Sequence, residues 1–238
     1  MIVAVLSLHA ILACAGCVGG DRNVREPEYV EIVVGEPAPG QSLPLIFGIH
    51  GLGDRPEMFA RLFVSEFPIA ARLVFPRGPK PEGQGFSWFP IPVASAIDGE
   101  AVAEEVRVAG EGIADLVERL TREHSPAAKP VVFGYSQGGM LSFYLAAHHP
   151  DLVAAVFPIA GFLPRSLLGT TVPAATYAFH GAVDELVPVE AARATVRAFS
   201  DRGGVAALVE YPHVGHPITV AMMRAVRQKL ADAASPKS

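Results

Sequence analysis

The sequence predicts an α/β fold in which a mostly parallel sheet is covered by helices on both faces. Three observations predict it. Strand signals alternate with helical patterns along most of the chain, the arrangement that produces βαβ units. Half of the 238 residues are hydrophobic and only 18% are charged, enough apolar matter to bury a large core. Finally, the apolar run Val131-Val132-Phe133 passes through Gly134-Tyr135-Ser136-Gln137-Gly138 into residues with apolar positions at helical spacing, a strand entering a helix across a glycine-flanked turn.

In chain order, Ile2 to Val18 is uncharged and largely apolar and ends in the small residues Ala13-Cys14-Ala15-Gly16-Cys17. It is short for a membrane span, which needs about 20 residues, and reads as a signal peptide within residues 1–20. Ala15-Gly16-Cys17 resembles a bacterial lipoprotein cleavage site, which makes Cys17 a candidate for lipidation and the membrane a candidate attachment surface. Cys14 stands where such sites usually carry Leu, and no Lys or Arg precedes the apolar run. The expectation is an exported protein, periplasmic, outer-membrane or secreted; the alternative is a cytoplasmic protein with a misassigned start. Residues 21–28 are polar and read as a tether, leaving 29–238 as one domain without cysteine and hence without a disulfide.

Within that domain, strands are expected at Tyr29–Val34, Leu43–His50, Arg72–Pro76, Lys129–Tyr135, Val153–Ala160, Ala174–His180 and Val205–Tyr211. A helix over Pro56–Phe67 opens with a proline suited to the first turn. A longer one over Gly99–His124 is charged on one side and contains Gly110 and Gly112 as candidate bends. Gln137–His149 has apolar residues at helical spacing, and a last helix follows Pro217. The two stretches without regular pattern, Arg77–Asp98 and Gly161–Pro173, are long enough to be functional loops. There is no repeat, no interdomain linker and no insertion large enough for a cap domain.

On composition alone, about 0.1 Gly-x-Ser-x-Gly occurrences are expected in a chain of this length, so the strand-turn-helix context decides the reading. In that context Ser136 is a nucleophile on an elbow that lifts its hydroxyl above the sheet. A nucleophilic serine needs a base and an acid that orients the base, in the order Ser, Asp, His. Asp184 follows the strand that ends in His180-Gly181, and His216 lies in the loop after the last strand. Glu185 is adjacent to Asp184 and His213 lies near His216, so each stays open as the alternative partner. The other histidines read as leader, helix-end or strand-end residues. No grouping of His, Cys, Asp and Glu has metal-ligand spacing, and no cofactor is implied. Donors for an oxyanion are expected from the N–H groups of Gln137 and Leu52, the latter in His50-Gly51-Leu52-Gly53-Asp54.

Taken together, these residues resemble the serine carboxylesterase and phospholipase family of α/β-hydrolases, which includes the acyl-protein thioesterases. The resemblance covers most of the chain. It rests on His50-Gly51-Leu52-Gly53-Asp54, Phe75-Pro76-Arg77-Gly78-Pro79, Trp88-Phe89, Gly134-Tyr135-Ser136-Gln137-Gly138-Gly139, His149-Pro150, His180-Gly181 with Asp184 and Val187-Pro188, and Gly215-His216. It implies an α/β-hydrolase fold and cleavage of carboxylic esters, thioesters or lysophospholipids, on small or medium acyl chains, with Ser136, Asp184 and His216 as triad. Pro90 stands where relatives often carry an acid, and Pro217 follows the histidine. Trp88 and Phe89 are expected to wall an acyl pocket, or else to pin their loop to the core.

A formal charge of −5 argues against a nucleic-acid partner, which leaves a small-molecule ester or thioester as the expected partner. Oligomeric state is not legible. Other readings on the same scaffold are an exported polyester depolymerase or feruloyl-type esterase, and a non-catalytic binding protein. A peptidase is disfavoured because no domain is present to gate peptides.

Overall fold

The structure is a computed structural model that describes residues 28–91 and 100–235. The expected leader, Cys17 and the tether as far as residue 27 lie outside the described residues, as does the segment 92–99. The elements run in the order β1 (Tyr29–Val34), β2 (Leu45–Ile49), α1 (Pro56–Val64), β3 (Ala71–Pro76), β4 (Lys80–Glu82), β5 (Gly85–Ser87), α2 (Ala103–His124), β6 (Val131–Tyr135), α3 (Gln137–His148), β7 (Ala155–Ile159), β8 (Ala175–Gly181), α4 (Val189–Asp201), β9 (Ala206–Tyr211) and α5 (Val220–Ala234).

Seven strands form one sheet in the order β1-β3-β2-β6-β7-β8-β9, and β4 and β5 form a separate hairpin. Every neighbouring pair in the large sheet is parallel except β1 with β3, where Tyr29 faces Pro76 and Val34 faces Ala71. This is the doubly covered, mostly parallel sheet of an α/β-hydrolase. The central strands β2, β6 and β7 read as continuous apolar runs because both faces are buried.

Alternation along each strand divides the core in two. Phe133 of β6 and Phe75 of β3 point to the face covered by α1 and α5, against Phe59, Phe63, Val226 and Leu230. Val132 and Phe47 point to the other face, under α2, α3 and the Phe199 end of α4. The rings of Phe63 and Phe133 lie 4.5 Å apart, and those of Phe59 and Phe133 5.6 Å. Each ring removed from water in this way contributes roughly 1.5–3 kcal/mol. Of the 12 residues of α3, only His148 is not buried, since the helix runs under the centre of the sheet.

Strand bounds fall within two residues of those expected. The first helix stops at Val64 rather than Phe67, because Ser65 is extended and Glu66 takes a positive φ of 57°. The long helix is preceded by a 3-10 turn at Glu100–Val102, and α2 then runs through Gly110 and Gly112 as a single element. The stretch from Arg77 is not without regular structure, since it contains β4 and β5. Three-residue strands, one of them with Pro81 at its centre, carry no periodic signal. The hairpin is instead fixed by a remote bridge from Asp54 to Phe86.

The strand order reverses at β2, with β3 on one side and β6 on the other. Ligand crevices of open α/β sheets form at such a switch point, outside the carboxyl ends of the strands. Here that point is bounded by the loop after β2, which carries Leu52, and the turn after β6, which carries Ser136.

Candidate active site

Ser136 occupies the single residue between β6 and α3 with φ 55° and ψ −111°. A non-glycine residue in that region is strained by about 1–3 kcal/mol, and its neighbours supply the room for it. A Cβ on Gly134 would lie 2.1 Å from the carbonyl oxygen of Gly138, and one on Gly138 would lie 2.0 Å from that of Ile49. The turn is held by Ser136 N–H donating to Ile159 O at 2.9 Å, and α3 begins with Met140 N–H donating to Ser136 O at 3.0 Å. The hydroxyl therefore leaves the sheet beside a helix N-terminus, where backbone N–H groups face outward.

His216 comes from the loop after β9. Its Nε2 lies 3.0 Å from Ser136 Oγ and its Nδ1 lies 2.7 Å from Asp184 Oδ2. Asp184 follows β8 with its side chain wholly buried. Its Oδ1 accepts the N–H groups of Leu186 at 3.0 Å and Val187 at 2.9 Å, which leaves Oδ2 for the imidazole. A carboxylate at Nδ1 requires a proton there, so Nε2 of the neutral ring accepts from the serine hydroxyl. Glu185 and His213 are exposed and take no part in this chain of bonds. The structure thus brings together Ser136, His216 and Asp184.

The loop after β2 lies alongside. A Cβ on Gly51 would be 3.4 Å from Ser136 Cβ and 2.9 Å from the Tyr135 ring, so the chain can pass there only without a side chain. His50 is fully buried; Nδ1 donates to Gly51 O at 2.7 Å and Nε2 accepts from Gly78 N–H at 3.0 Å. Burial holds its pKa below the usual imidazole value, in keeping with one donor and one acceptor nitrogen. Trp88 is 3% exposed and Phe89 1%. The indole N–H of Trp88 donates to His50 O at 3.0 Å, and the two rings pack 5.2 Å apart.

Residues 30–233, most of the described chain, match the phospholipase/carboxylesterase family. The chain belongs to that family. It is also similar, at 29% identity over 66% of its length, to a protein of Nocardia uniformis subsp. tsuyamanensis named as a candidate esterase, NocK, of which the match spans only 44%. A rice protein named as an inactive carboxylesterase is 27% identical over 71% of this chain and 76% of its own. Among solved structures, Zea mays acyl-protein thioesterase 2 superposes with a TM-score of 0.68, covering 88% of this chain and 100% of that one at 16% identity; that likeness speaks to the fold.

Three partners of the candidate site have little or no separate signal in the sequence. Tyr135 donates its O–H to His216 O at 3.1 Å and packs its ring 5.2 Å from the imidazole. Burial pushes its phenol up to about 12, so it stays a donor. An aromatic residue before Ser136 is the only hint of this contact. His180, whose position suggests merely a strand end, lies beneath Asp184. Its Nε2 donates to Val187 O at 2.8 Å and is 3.4 Å from Asp184 Oδ2. Burial lowers its pKa and keeps it neutral. Gln137, singled out for its N–H alone, also buries its carboxamide, which donates to Phe89 O at 2.6 Å and accepts from Trp88 N–H at 3.0 Å.

Two cavities lie elsewhere among the described residues. One of about 480 Å³ lies between the hairpin loop and α2, with Trp88, Phe89, Phe86, Arg77 and Val108 among its walls. The other, of about 670 Å³, lies between Phe162–Leu168 and α4 and is rimmed by Arg165, Arg193 and Arg197. Ser136 lines neither. Among the described residues, no group of three or more His, Cys, Asp or Glu side chains could hold a metal ion.

Proposed function

We propose that this protein is a serine hydrolase that cleaves carboxylic esters, including thioesters, through an acyl-enzyme on Ser136. The observation that carries the reading is the unbroken chain Ser136 Oγ to His216 Nε2, His216 Nδ1 to Asp184 Oδ2. His216 takes the hydroxyl proton as Oγ attacks the carbonyl carbon, and the carbonyl oxygen becomes an oxyanion facing the N–H groups of Gln137 and Leu52. Protonated His216 then gives its proton to the departing alcohol or thiol. A water molecule, deprotonated by the same nitrogen, adds to the acyl carbon; collapse of that second adduct releases the carboxylic acid and returns the proton to Ser136. No metal or cofactor enters the scheme. The name of one structural relative, an acyl-protein thioesterase, supports thioesters beside oxygen esters as candidate substrates.

The test is hydrolysis of p-nitrophenyl esters from two to sixteen carbons, with one acyl thioester and one feruloyl ester, by residues 21–238 and by Ser136→Ala. The expected result is turnover in the parent and a loss of several orders of magnitude in the variant. Turnover surviving in a folded Ser136→Ala protein overturns the assignment. Failure of the parent to react with a fluorophosphonate would instead favour a binding protein on this scaffold. For the leader, we propose export, supported by the apolar run to Val18. Fractionation of cells making the full chain, with a fatty-acid label, reads export and modification of Cys17 together; a cytoplasmic, unlabelled protein contradicts both.

A further inference from the structure

We propose that the β4–β5 hairpin with Trp88 is a positioning brace that sets the separation of the two oxyanion donors, Leu52 N–H and Gln137 N–H. The inference rests on the reading of Ser136 as nucleophile and assigns further residues to it. One short segment, β5 and the Trp88 that follows it, grips the Leu52 loop on both sides. After Leu52, Gly53 N–H donates to Phe86 O at 2.8 Å and Phe86 N–H donates to Asp54 O at 2.9 Å. Before it, the Trp88 indole donates to His50 O at 3.0 Å, while the His50 ring is tied in turn to Gly78 and Gly51. The approach is close enough that a Cβ on Gly85 would lie 2.2 Å from Gly53 O.

The same segment is tied at its far end to the nucleophile elbow. The Gln137 carboxamide bonds to the backbone of Trp88 and Phe89, and Ser87 Oγ lies 2.7 Å from Phe89 O and 3.3 Å from Gln137 Oε1. A closed path therefore runs from Leu52 through His50, Trp88 and Gln137 back to the second donor. His50, Ser87 and Gln137 are no more than 1% exposed. Apolar packing could hold the hairpin down, but it is non-directional, whereas a satisfied buried polar network specifies one geometry. Oxyanion stabilisation needs that, because donors must stand about 2.7–3.1 Å from the developing charge. Residue 137 has two separable roles, its N–H toward the substrate and its side chain toward the partner donor.

The two roles are separated by Gln137→Met, which keeps the N–H and removes the carboxamide, and by Trp88→Phe, which keeps a ring and removes the indole donor. Both are compared with the parent and Ser136→Ala on p-nitrophenyl butyrate, with melting temperature and active-site titre measured for each. Inhibition is measured with a trifluoromethyl ketone, whose adduct on Ser136 carries an oxyanion, and with the matching methyl ketone as a ground-state control. In Gln137→Met, kcat is expected to fall about 10- to 100-fold with KM within about twofold. The trifluoromethyl ketone should weaken in step with kcat/KM, the methyl ketone should not, and the acidic limb of the pH profile should stay in place. Trp88→Phe should move the same quantities in the same direction by less. Folded variants with parental kcat and parental trifluoromethyl ketone affinity overturn the brace alone, as does a loss confined to KM or to melting temperature. Parent turnover that survives Ser136→Ala overturns the nucleophile and the brace together.

Discussion

At the residue scale, the candidate site is decided by how the two oxygens of Asp184 are used. Oδ1 is saturated by two backbone N–H groups, so Oδ2 alone faces imidazoles, His216 at 2.7 Å and His180 at 3.4 Å. A carboxamide in place of this carboxylate can present only one acceptor oxygen to donors on both sides. Asp184→Asn should therefore disturb the His216 tautomer while leaving the fold intact, and kcat should fall about 10³- to 10⁴-fold. Steady-state kinetics with circular dichroism would show it. Glu185→Gln, at an exposed position outside the chain of bonds, should leave kcat within about twofold on the same assay, which separates the two neighbouring acids.

At the element scale, the two glycines of α2 have opposite meanings. Gly110 faces α3, and a Cβ there would lie 2.2 Å from the Tyr144 ring, so Gly110→Ala should destabilise by about 1–3 kcal/mol. A Cβ on Gly112 meets nothing within 4 Å, and alanine in a helix interior is favoured over glycine by about 0.8–1 kcal/mol. Gly112→Ala should therefore raise stability by up to that amount. Urea denaturation of the two variants tests both signs at once, and a stabilising Gly110→Ala would contradict the close packing of α2 on α3. The same crowding stacks Tyr144 on His148 at 4.4 Å and directs its O–H to Glu111 at 2.6 Å.

At the scale of the whole molecule, two buried imidazoles couple stability to pH. Burial holds His50 and His180 below their ordinary value of 6.5, so on acidification the unfolded chain takes up protons that the folded chain does not. Stability should fall as pH drops from about 7 through 6.5 and on toward the folded-state values, at up to about 1.4 kcal/mol per pH unit for each histidine. His180→Gln keeps a donor for Val187 O and removes one titration. Denaturant midpoints at pH 7.5, 6.5 and 5.5 should show a flatter dependence in the variant. An identical slope would mean that His180 carries its proton in the folded state. The sheet order also sets the site's location, because only at the β2/β6 reversal do two loops leave the carboxyl edge in opposite directions.

Local chemistry in the sequence was enough to place the seven strands of the large sheet, because each is an apolar run bounded by turn residues. It also picked out Ser136, Asp184 and His216, because an elbow and two loop residues in that order leave few alternatives. It could not choose between Asp184 and Glu185 or between His213 and His216 beyond preference; in the structure Asp184 and His216 are hydrogen-bonded in line with Ser136, and Glu185 and His213 lie outside that chain of bonds. Nor could it show β4 and β5, the aromatic contact from Tyr135, or the buried carboxamide bonds of Gln137. Those depend on which backbone groups arrive opposite a buried side chain, and that is set by packing across the sheet. Periodicity and turn chemistry act between near neighbours and are written in the sequence; hydrogen bonds such as Gln137 to Phe89, 48 residues apart, exist only once the fold brings their ends together.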